Sequence, residues 1–299
     1  MNEQVEQVEQ PTEIKKINVI WDASQLDMFE LCDQRFYLRY VLNKGPFTKA
    51  PQLDRGTLLH NGYEVYYKEL QKLTKPSVAL ELCIEKIKVT SMEADLDPTE
   101  VGRIVEVAEE NLRHWEFEDQ TFEILAVEEP FIYLLFEDEY MRIYMTGKID
   151  LLINWHTRQM TYERLPVDHK SYDRKWPLKR LSNQFMNYCY AAKSDMMRIN
   201  RVGFQASLEP DEKHIRQFMC YDELILEQWR LNVVKIAQRY VECVAENSWP
   251  MNFTSCDKFN RQCEYANVCE SSGEPARLFK IGMLNDIEPW DVTKILEKK

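Results

Sequence analysis

The chain has 299 residues, of which 44% are apolar and 12% aromatic, enough for one large domain or two small ones with a buried core. Its 38 basic and 50 acidic residues give a net charge of −12, which argues against a protein that coats nucleic acid by bulk attraction. The sequence contains no apolar run of membrane-helix length, and its polar beginning is unlike a secretory signal, so we expect a cytoplasmic protein.

The composition predicts three parts along the chain. Residues 1–17 are predicted to be a flexible tail, because the segment is rich in Glu and Gln and lacks aromatic residues that could be buried. Residues 20–275 contain no internal repeat or low-complexity linker, so a single α/β domain over 18–275 is the simplest prediction. Residues 276–299 are interpreted as a C-terminal extension.

The first third of the predicted domain is helical. Apolar residues recur at three- and four-residue steps over 22–42, which predicts one continuous helix with Ser24 and Asp27 as its capping box. A loop containing proline and glycine follows. The same periodicity predicts further helices over 56–70, 77–93 and 98–117.

The pattern changes at Phe122 to β-branched and aromatic residues. It predicts a hairpin with strands over 122–136 and 140–155, then a third strand over 162–170 that Pro166 weakens by removing a ladder donor. The remaining predicted elements are a helix over 178–197, strands over 201–208 and 214–221, and a long helix over 222–247. The predicted fold class is therefore α/β.

Asp168 and Lys170 form a pair that suits phosphodiester hydrolysis. On a strand, residues two apart share one face of the sheet. The carboxylate can bind a hard divalent cation, and the ammonium can orient water or neutralise charge on the phosphate. Taken alone, such a pair is more often simply solvated.

Three further features could complete a site around this pair. Asp150 ends an apolar strand, where a carboxylate requires a partner, although it could also cap a turn. His60 follows Gly56 by four residues at the start of a helix, where the glycine would permit close approach to the sheet and the imidazole could bind the metal; a lone histidine is usually structural. Gln184 and Tyr188 share one face of a predicted helix.

One local segment could bind nucleic acid despite the acidic net charge. Residues 170–180 combine five basic residues with Tyr172 and Trp176, a mixture that can hold phosphates and stack bases. The alternative is a solvated loop before a helix.

The ordered set of motifs gives the specificity that each one lacks. In chain order they are the helix around Cys32, G-x-x-x-H ending at His60, G-x-I-D ending at Asp150, D-x-K from Asp168, and Q-x-x-x-Y from Gln184. This series resembles the RecB-like exonuclease branch of the PD-(D/E)xK nuclease superfamily.

The resemblance implies a fold, a set of residue roles and a setting. It implies a restriction-endonuclease-like core, a central mixed sheet flanked by helices. It implies His60, Asp150 and Asp168 as ligands of Mg²⁺ or Mn²⁺, Lys170 as the catalytic lysine, and Gln184 and Tyr188 as the motif after it. Glu128 is a weaker candidate for an accessory acidic position. A bacterial or phage-infected cell would be the setting.

The cysteines suggest a second inorganic site. The chain has eight, and without an export signal they do not predict disulfides. Cys256, Cys263 and Cys269 are clustered near the C-terminus, and Cys32 is the predicted fourth ligand. The resemblance to AddB-type helicase-nuclease subunits and to CRISPR-adaptation nucleases implies a [4Fe–4S] cluster that staples the chain ends; zinc, or three reduced thiols, are the alternatives.

The sequence thus predicts a Mg²⁺- or Mn²⁺-dependent deoxyribonuclease, an exonuclease acting on single-stranded or end-containing DNA in recombination, repair or phage DNA processing. A recombination or helicase protein is a further expected partner. The alternative is a DNA-binding or partner-binding module that keeps the nuclease fold without catalysis.

Overall fold

A computed structural model of the chain describes residues 16–45, 51–94, 96–173, 179–205, 207–258, 261–271, 273–292 and 294. The predicted tail lies outside these residues up to residue 15, and its last residue, Ile17, already begins a strand. In the described part of the chain, no helix is both long and apolar enough to span a membrane.

The secondary structure alternates helical and extended segments. The strands are β1 (Ile17–Trp21), β2 (Lys44–Gly45), β3 (Phe122–Glu137), β4 (Met141–His156), β5 (Thr161–Tyr172), β6 (Met196–Gly203), β7 (His214–Cys220), β8 (Asp257–Lys258), β9 (Arg261–Gln262) and β10 (Asn285–Asp286). The α-helices are α1 (Ala23–Leu31), α2 (Asp33–Phe36), α3 (Pro51–Gln71), α4 (Pro76–Glu93), α5 (Pro98–Asp119), α6 (Asn183–Ala192), α7 (Pro210–Lys213), α8 (Glu223–Glu246), α9 (Ala266–Cys269) and α10 (Glu274–Gly282). Tyr37–Val41 forms a π-helical turn and Phe253–Ser255 a 3-10 turn.

A six-stranded mixed sheet organises the described residues, as the sequence predicts. Its main order is β1-β4-β5-β6-β7, with β3 also paired to β4. The β1–β4 and β5–β6 pairs are parallel, and the β3–β4, β4–β5 and β6–β7 pairs are antiparallel.

The long strand β4 changes partner part-way along one edge. Its first residues pair with β1 as far as Met145, and its last ones pair with β5 from Leu151 onward. Between these two neighbours, no strand of the described chain lies beside residues 146–150 of β4 on that edge, and β3 pairs on the other edge. A crevice forms where strands separate in this way.

Two apolar clusters cover the two faces of the sheet. One is formed with α1, α6 and α8 and includes Phe29, Phe185 and Trp229. The other is formed with α3, α4 and α5 and includes Ile87 and Ile104. Both faces of the central strands are therefore buried, which explains their nearly continuous apolar sequence.

The predicted continuous helix over 22–42 is wrong, because the backbone breaks at Cys32. That residue is extended, with φ −169° and ψ 118°, between α1 and α2. Its Sγ accepts a hydrogen bond from the backbone N–H of Asn252, 3.4 Å away, in the cysteine-rich segment. The capping box also differs, since Asp22 and Gln25 form it rather than Ser24 and Asp27.

The region after β5 also departs from prediction. The helix predicted over 178–197 is α6, which ends at the left-handed Lys193, with φ 56°. The strand predicted over 201–208 begins earlier, at Met196, and the short α7 precedes β7. The reason is that β6 is buried between β5 and β7 although it carries polar residues, as at Arg198, which is 1% exposed.

The last described segment returns to the start of the fold. The predicted boundary between residues 275 and 276 falls inside α10, and β10 pairs with β2. Trp290 Nε1 donates a hydrogen bond to Asp22 Oδ2 at 2.8 Å. This contact brings the segment to the first turn of α1, beside the crevice.

Candidate active site

The crevice in the sheet is a cleft of about 1150 Å³. Thr146, Gly147, Lys148 and Asp150 of the unpaired stretch of β4 line it. The remaining lining residues used below are His60 of α3, Glu128 of β3, His169 and Lys170 of β5, and Gln184, Asn187 and Tyr188 of α6.

Three carboxylates lie at one level across three neighbouring strands. The β4–β5 pairing ends at Leu151 and Val167, and in that register Asp150 and Asp168 are the next residues of each strand. Directly opposite residues of an antiparallel pair share a face of the sheet. Glu128 occupies the corresponding level of β3, since Val127 pairs with Leu151. The register therefore puts Asp150 and Asp168 on one face of the sheet.

Glu128 adopts an unusual backbone conformation within its strand. Its φ is 54°, in the left-handed region that non-glycine residues rarely occupy. Its carboxylate forms an ion pair with Lys148 and lies 3.7 Å from His60 Nδ1. Backbone strain of this kind clusters at functional sites, so the geometry gives Glu128 more weight than its sequence did.

His60 faces the carboxylates from α3. Its Nδ1 lies 3.5 Å from Asp150 Oδ2, and its Nε2 lies 3.0 Å from the backbone oxygen of His169. The described residues contain one group of three metal-binding side chains whose ligand atoms all lie within 4.8 Å of one another, formed by His60, Glu128 and Asp150.

Asp168 lies beneath this group and is fully buried. Its Oδ1 accepts hydrogen bonds from Lys170 Nζ at 2.9 Å and Gln184 Nε2 at 3.1 Å. Its Oδ2 has no hydrogen-bond partner among the described residues. Lys170 Nζ also donates to Gln184 Oε1 at 3.1 Å, so acid, lysine and amide form one connected group.

Helix α6 covers the unpaired backbone of β4. Tyr188 donates its hydroxyl hydrogen to the Lys148 carbonyl at 2.7 Å, and Asn187 donates to the Thr146 carbonyl at 3.1 Å. On this edge no strand among the described residues pairs with these carbonyls, so the two side-chain donors remove the free-energy cost of burying them without a hydrogen bond. Gln184 Nε2 in turn donates to Tyr188 at 3.0 Å.

The electrostatics of the site follow from crowding of like charges away from water. Burial raises the pKa of Asp150 to about 7, although His60 opposes the shift. Burial also raises the pKa of Asp168, with Lys170 opposing. Burial lowers the pKa of His60, but the carboxylates of Asp150 and Glu128 raise it by more, to about 9.

This donor set fits a hard divalent cation. Ligands held at about 2.1 Å in octahedral geometry lie roughly 3 Å apart, slightly closer than the present separations between His60 and the carboxylates. The buried Oδ2 of Asp168 is a further oxygen without a partner among the described residues. Carboxylate oxygens with one imidazole suit Mg²⁺ or Mn²⁺.

The family model of the PD-(D/E)XK nuclease superfamily matches residues 21–270 of this chain. The chain belongs to this superfamily. No curated protein matches the chain. Among solved structures, one described as the crystal structure of SSO0001 is similar, with 12% identity, coverage of 74% of this chain and 86% of that chain, and a TM-score of 0.35.

Membership in the PD-(D/E)XK superfamily indicates a hydrolytic nuclease. The mixed sheet flanked by helices is consistent with the restriction-endonuclease-like fold of this superfamily, which confirms the predicted fold class. The RecB-like assignment and the residue roles implied by it remain predictions.

Two expectations about the cleft need adjustment. A Cβ at Gly56 would meet only Ser171 Oγ, at 3.9 Å, an ordinary contact, so close packing of α3 on the sheet does not require this glycine. Of the basic segment over 170–180, residues 174–178 lie outside the described residues. Its first part lines the cleft through Lys170 and Ser171.

The four predicted cluster cysteines belong to one neighbourhood. Burial raises the pKa of Cys269 to about 11, and the nearby thiols of Cys263, Cys32 and Cys256 contribute. The Cys263 N–H donates to the Cys256 carbonyl at 2.7 Å. Within the described residues, no three of these sulfurs lie within 4.8 Å of one another.

Proposed function

We propose that the chain is a Mg²⁺- or Mn²⁺-dependent deoxyribonuclease that acts as an exonuclease on single-stranded or end-containing DNA. The observation that carries this proposal is the convergence of His60, Glu128 and Asp150 above the buried Asp168 and Lys170. Recombination, repair or phage DNA processing, with a helicase or recombination partner, is the proposed setting.

His60, Asp150 and Asp168 would hold the cation, with Glu128 as a fourth candidate. When bound, the cation would polarise the scissile phosphate and lower the pKa of attacking water. Lys170 would neutralise charge on the phosphate, because its side chain is 34% exposed beside the cleft and its Nζ donates a hydrogen bond to Asp168.

Gln184 and Tyr188 would act by orientation. Gln184 contacts both Asp168 Oδ1 and Lys170 Nζ, so it limits the rotation of the lysine. Tyr188 links the same helix to the Lys148 carbonyl. The two residues therefore connect the D-x-K strand to the β4 stretch that carries Asp150.

We further propose that Cys32, Cys256, Cys263 and Cys269 hold a [4Fe–4S] cluster that joins the break after α1 to the C-terminal segment. The thiol chemistry and the mutual proximity of the four residues support this assignment. Anaerobically purified protein should contain iron and acid-labile sulfide, and Cys269→Ala should lose both; zinc without sulfide would contradict the cluster.

The nuclease proposal is tested with end-labelled linear and circular DNA, each single- and double-stranded, in Mn²⁺. Wild-type protein should shorten linear DNA and spare circles. Lys170→Ala should abolish cleavage yet still bind Mn²⁺, because the lysine is not a ligand, whereas Asp150→Ala should lose Mn²⁺ binding.

Cleavage of circles would replace the exonuclease assignment with an endonuclease one. Intact DNA in every reaction, with no Mn²⁺ binding that Asp150→Ala removes, would instead favour a binding module that keeps the fold without catalysis.

A further inference from the structure

We propose that His169, the residue between Asp168 and Lys170, is a positioning residue that sets the metal-binding geometry through a ring clamp on α3. This inference rests on the proposed function, because it concerns the same metal site. It assigns His169 no contact with metal or substrate through its ring.

The backbone of His169 contacts two of the proposed ligands. Its N–H donates to Asp150 Oδ2 at 2.8 Å, and its carbonyl oxygen lies 3.0 Å from His60 Nε2. A shift of this one peptide segment would therefore move the Asp150 carboxylate and the His60 ring together. The site depends on where β5 lies relative to α3 and β4.

The imidazole of His169 fixes the position of β5 relative to α3. It lies on the face of the sheet opposite to the side chains of Asp168 and Lys170. It is 5% exposed and stacks on Tyr67, with ring centroids 5.3 Å apart and planes inclined by 20°. Tyr63 meets it edge-on, with centroids 5.1 Å apart. Residues 60, 63 and 67 are spaced by three and four positions, so the ligand and both clamp residues share one face of α3.

Both tyrosines are themselves held by buried polar contacts to α5. The Tyr67 hydroxyl donates to Asp119 Oδ2 at 3.2 Å, and Asp119 also binds Arg216 at 2.5 Å. Asn111 of α5 donates to the Tyr63 hydroxyl at 3.0 Å. The clamp therefore rests on a fixed part of the molecule.

The ring acts by stacking rather than by hydrogen bonding. Neither nitrogen of His169 has a hydrogen-bond partner among the described residues, and both are buried. Buried polar atoms without partners are destabilising, so the attraction between this ring and α3 comes from its aromatic pairs, which stabilise by about 0.5–1.5 kcal/mol each. The flat faces and edges of the His169 ring, rather than its nitrogens, therefore pack against α3.

The test measures Mn²⁺ affinity directly, by calorimetric titration of the full-length protein. His169→Leu and Tyr67→Leu, which remove the stack from either side, should each weaken Mn²⁺ binding by about 10- to 100-fold, as loss of outer-shell support does at other metal sites. His169→Phe, which keeps a flat ring, should restore affinity close to that of wild type.

Leu112→Ala is the matched control, since Leu112 is buried in the same apolar cluster but outside the clamp. It should lower the unfolding temperature while leaving Mn²⁺ affinity unchanged. Wild-type affinity in folded His169→Leu or Tyr67→Leu would overturn the clamp, as would a loss in His169→Phe equal to that in His169→Leu. Absence of Mn²⁺ binding in the wild type would instead refute the proposed function.

Discussion

Two buried aspartates of this protein should respond in opposite ways to substitution. Asp168 is fully buried, and its Oδ2 has no hydrogen-bond partner among the described residues. In Asp168→Asn the side-chain oxygen still accepts from Lys170 and Gln184, and a buried charge disappears. We therefore expect the metal-free variant to have a free energy of unfolding at least equal to that of wild type.

The cost of this substitution should appear only when metal is added. Free Mn²⁺ at a hundred times its Kd stabilises a protein with one site by about 2.7 kcal/mol. For a domain of roughly 250 residues the entropy of unfolding is about 0.5 kcal/mol per kelvin, so the wild-type Tm should rise by about 5 °C. Asp168→Asn should lose most of this rise.

Asp119 gives the contrasting case, because it is a second buried aspartate whose two carboxylate oxygens both have hydrogen-bond partners. Arg216 donates to Oδ1 at 2.5 Å and Tyr67 to Oδ2 at 3.2 Å. Removing one member of a buried ion pair costs about 3 kcal/mol at the lower end of measured values. The lower value applies to Asp119→Ala because Arg216 keeps a second ion pair, with Glu118. Asp119→Ala should therefore unfold about 6 °C lower, by the same entropy.

The assay is differential scanning calorimetry of the three proteins with chelator and with Mn²⁺. Asp119→Ala should be less stable without metal and still show the rise with Mn²⁺. The reasoning is refuted if metal-free Asp168→Asn is destabilised as much as Asp119→Ala, or if it retains the full wild-type rise.

Three other substitutions test separate contacts. Gly62→Ala should destabilise the protein by about 1–3 kcal/mol in chemical denaturation, since its Cβ would lie 2.7 Å from Ile87 Cγ1. Burial and His114 lower the pKa of His214 from 6.5 to about 4, so the unfolding free energy should fall as pH drops from 6.5 to 4, and less in His214→Gln. Tyr188→Phe should cost about 1–3 kcal/mol, by leaving a β4 carbonyl unpaired, measured by urea unfolding.

Long segments with a regular hydrophobic period could be predicted from the sequence, because the period within the segment determines whether it forms a helix or a strand. The structure confirms helices close to the predictions over 77–93 and 98–117, as α4 and α5, and the hairpin of β3 and β4. The strand with Asp168 also forms despite Pro166. The β4–β5 pairing shifts register beside Arg164. This residue has φ 49°, and its backbone N–H donates to Asn154 Oδ1 at 2.9 Å.

Features that depend on distant partners could not be predicted from the local pattern. The break at Cys32 is one, because its contact with Asn252 comes from the other end of the chain. The position of β6 is another. The guanidinium of Arg198 lies 5.1 Å from the Phe122 ring and 5.4 Å from that of Trp155, so an arginine that lies outside both the predicted helix and the predicted strand is buried in β6.

The candidate site was partly predictable for the same reason. Motif spacing predicted His60, Asp150 and Asp168 as ligands; the structure brings the first two together with Glu128, while Asp168 lies buried and hydrogen-bonded to Lys170. Motif spacing gave Glu128 too little weight, because the register of β3 against β4 and the left-handed backbone at that residue are not visible in the spacing. The proposed role of His169 depends on a ring stack between β5 and α3, which the local sequence pattern does not show.

The position of the cleft follows from where two strands stop beside β4. Because β1 ends its pairing at Met145 and β5 begins at Leu151, the intervening carbonyls need side-chain donors, and α6 supplies them. The same helix carries Gln184, one turn before Tyr188, toward Lys170. The Q-x-x-x-Y spacing thus links two contacts of α6, the hydrogen bond from Tyr188 to the β4 carbonyl and the hydrogen bond between Gln184 and Lys170. A substitution that displaces α6 should therefore weaken both contacts.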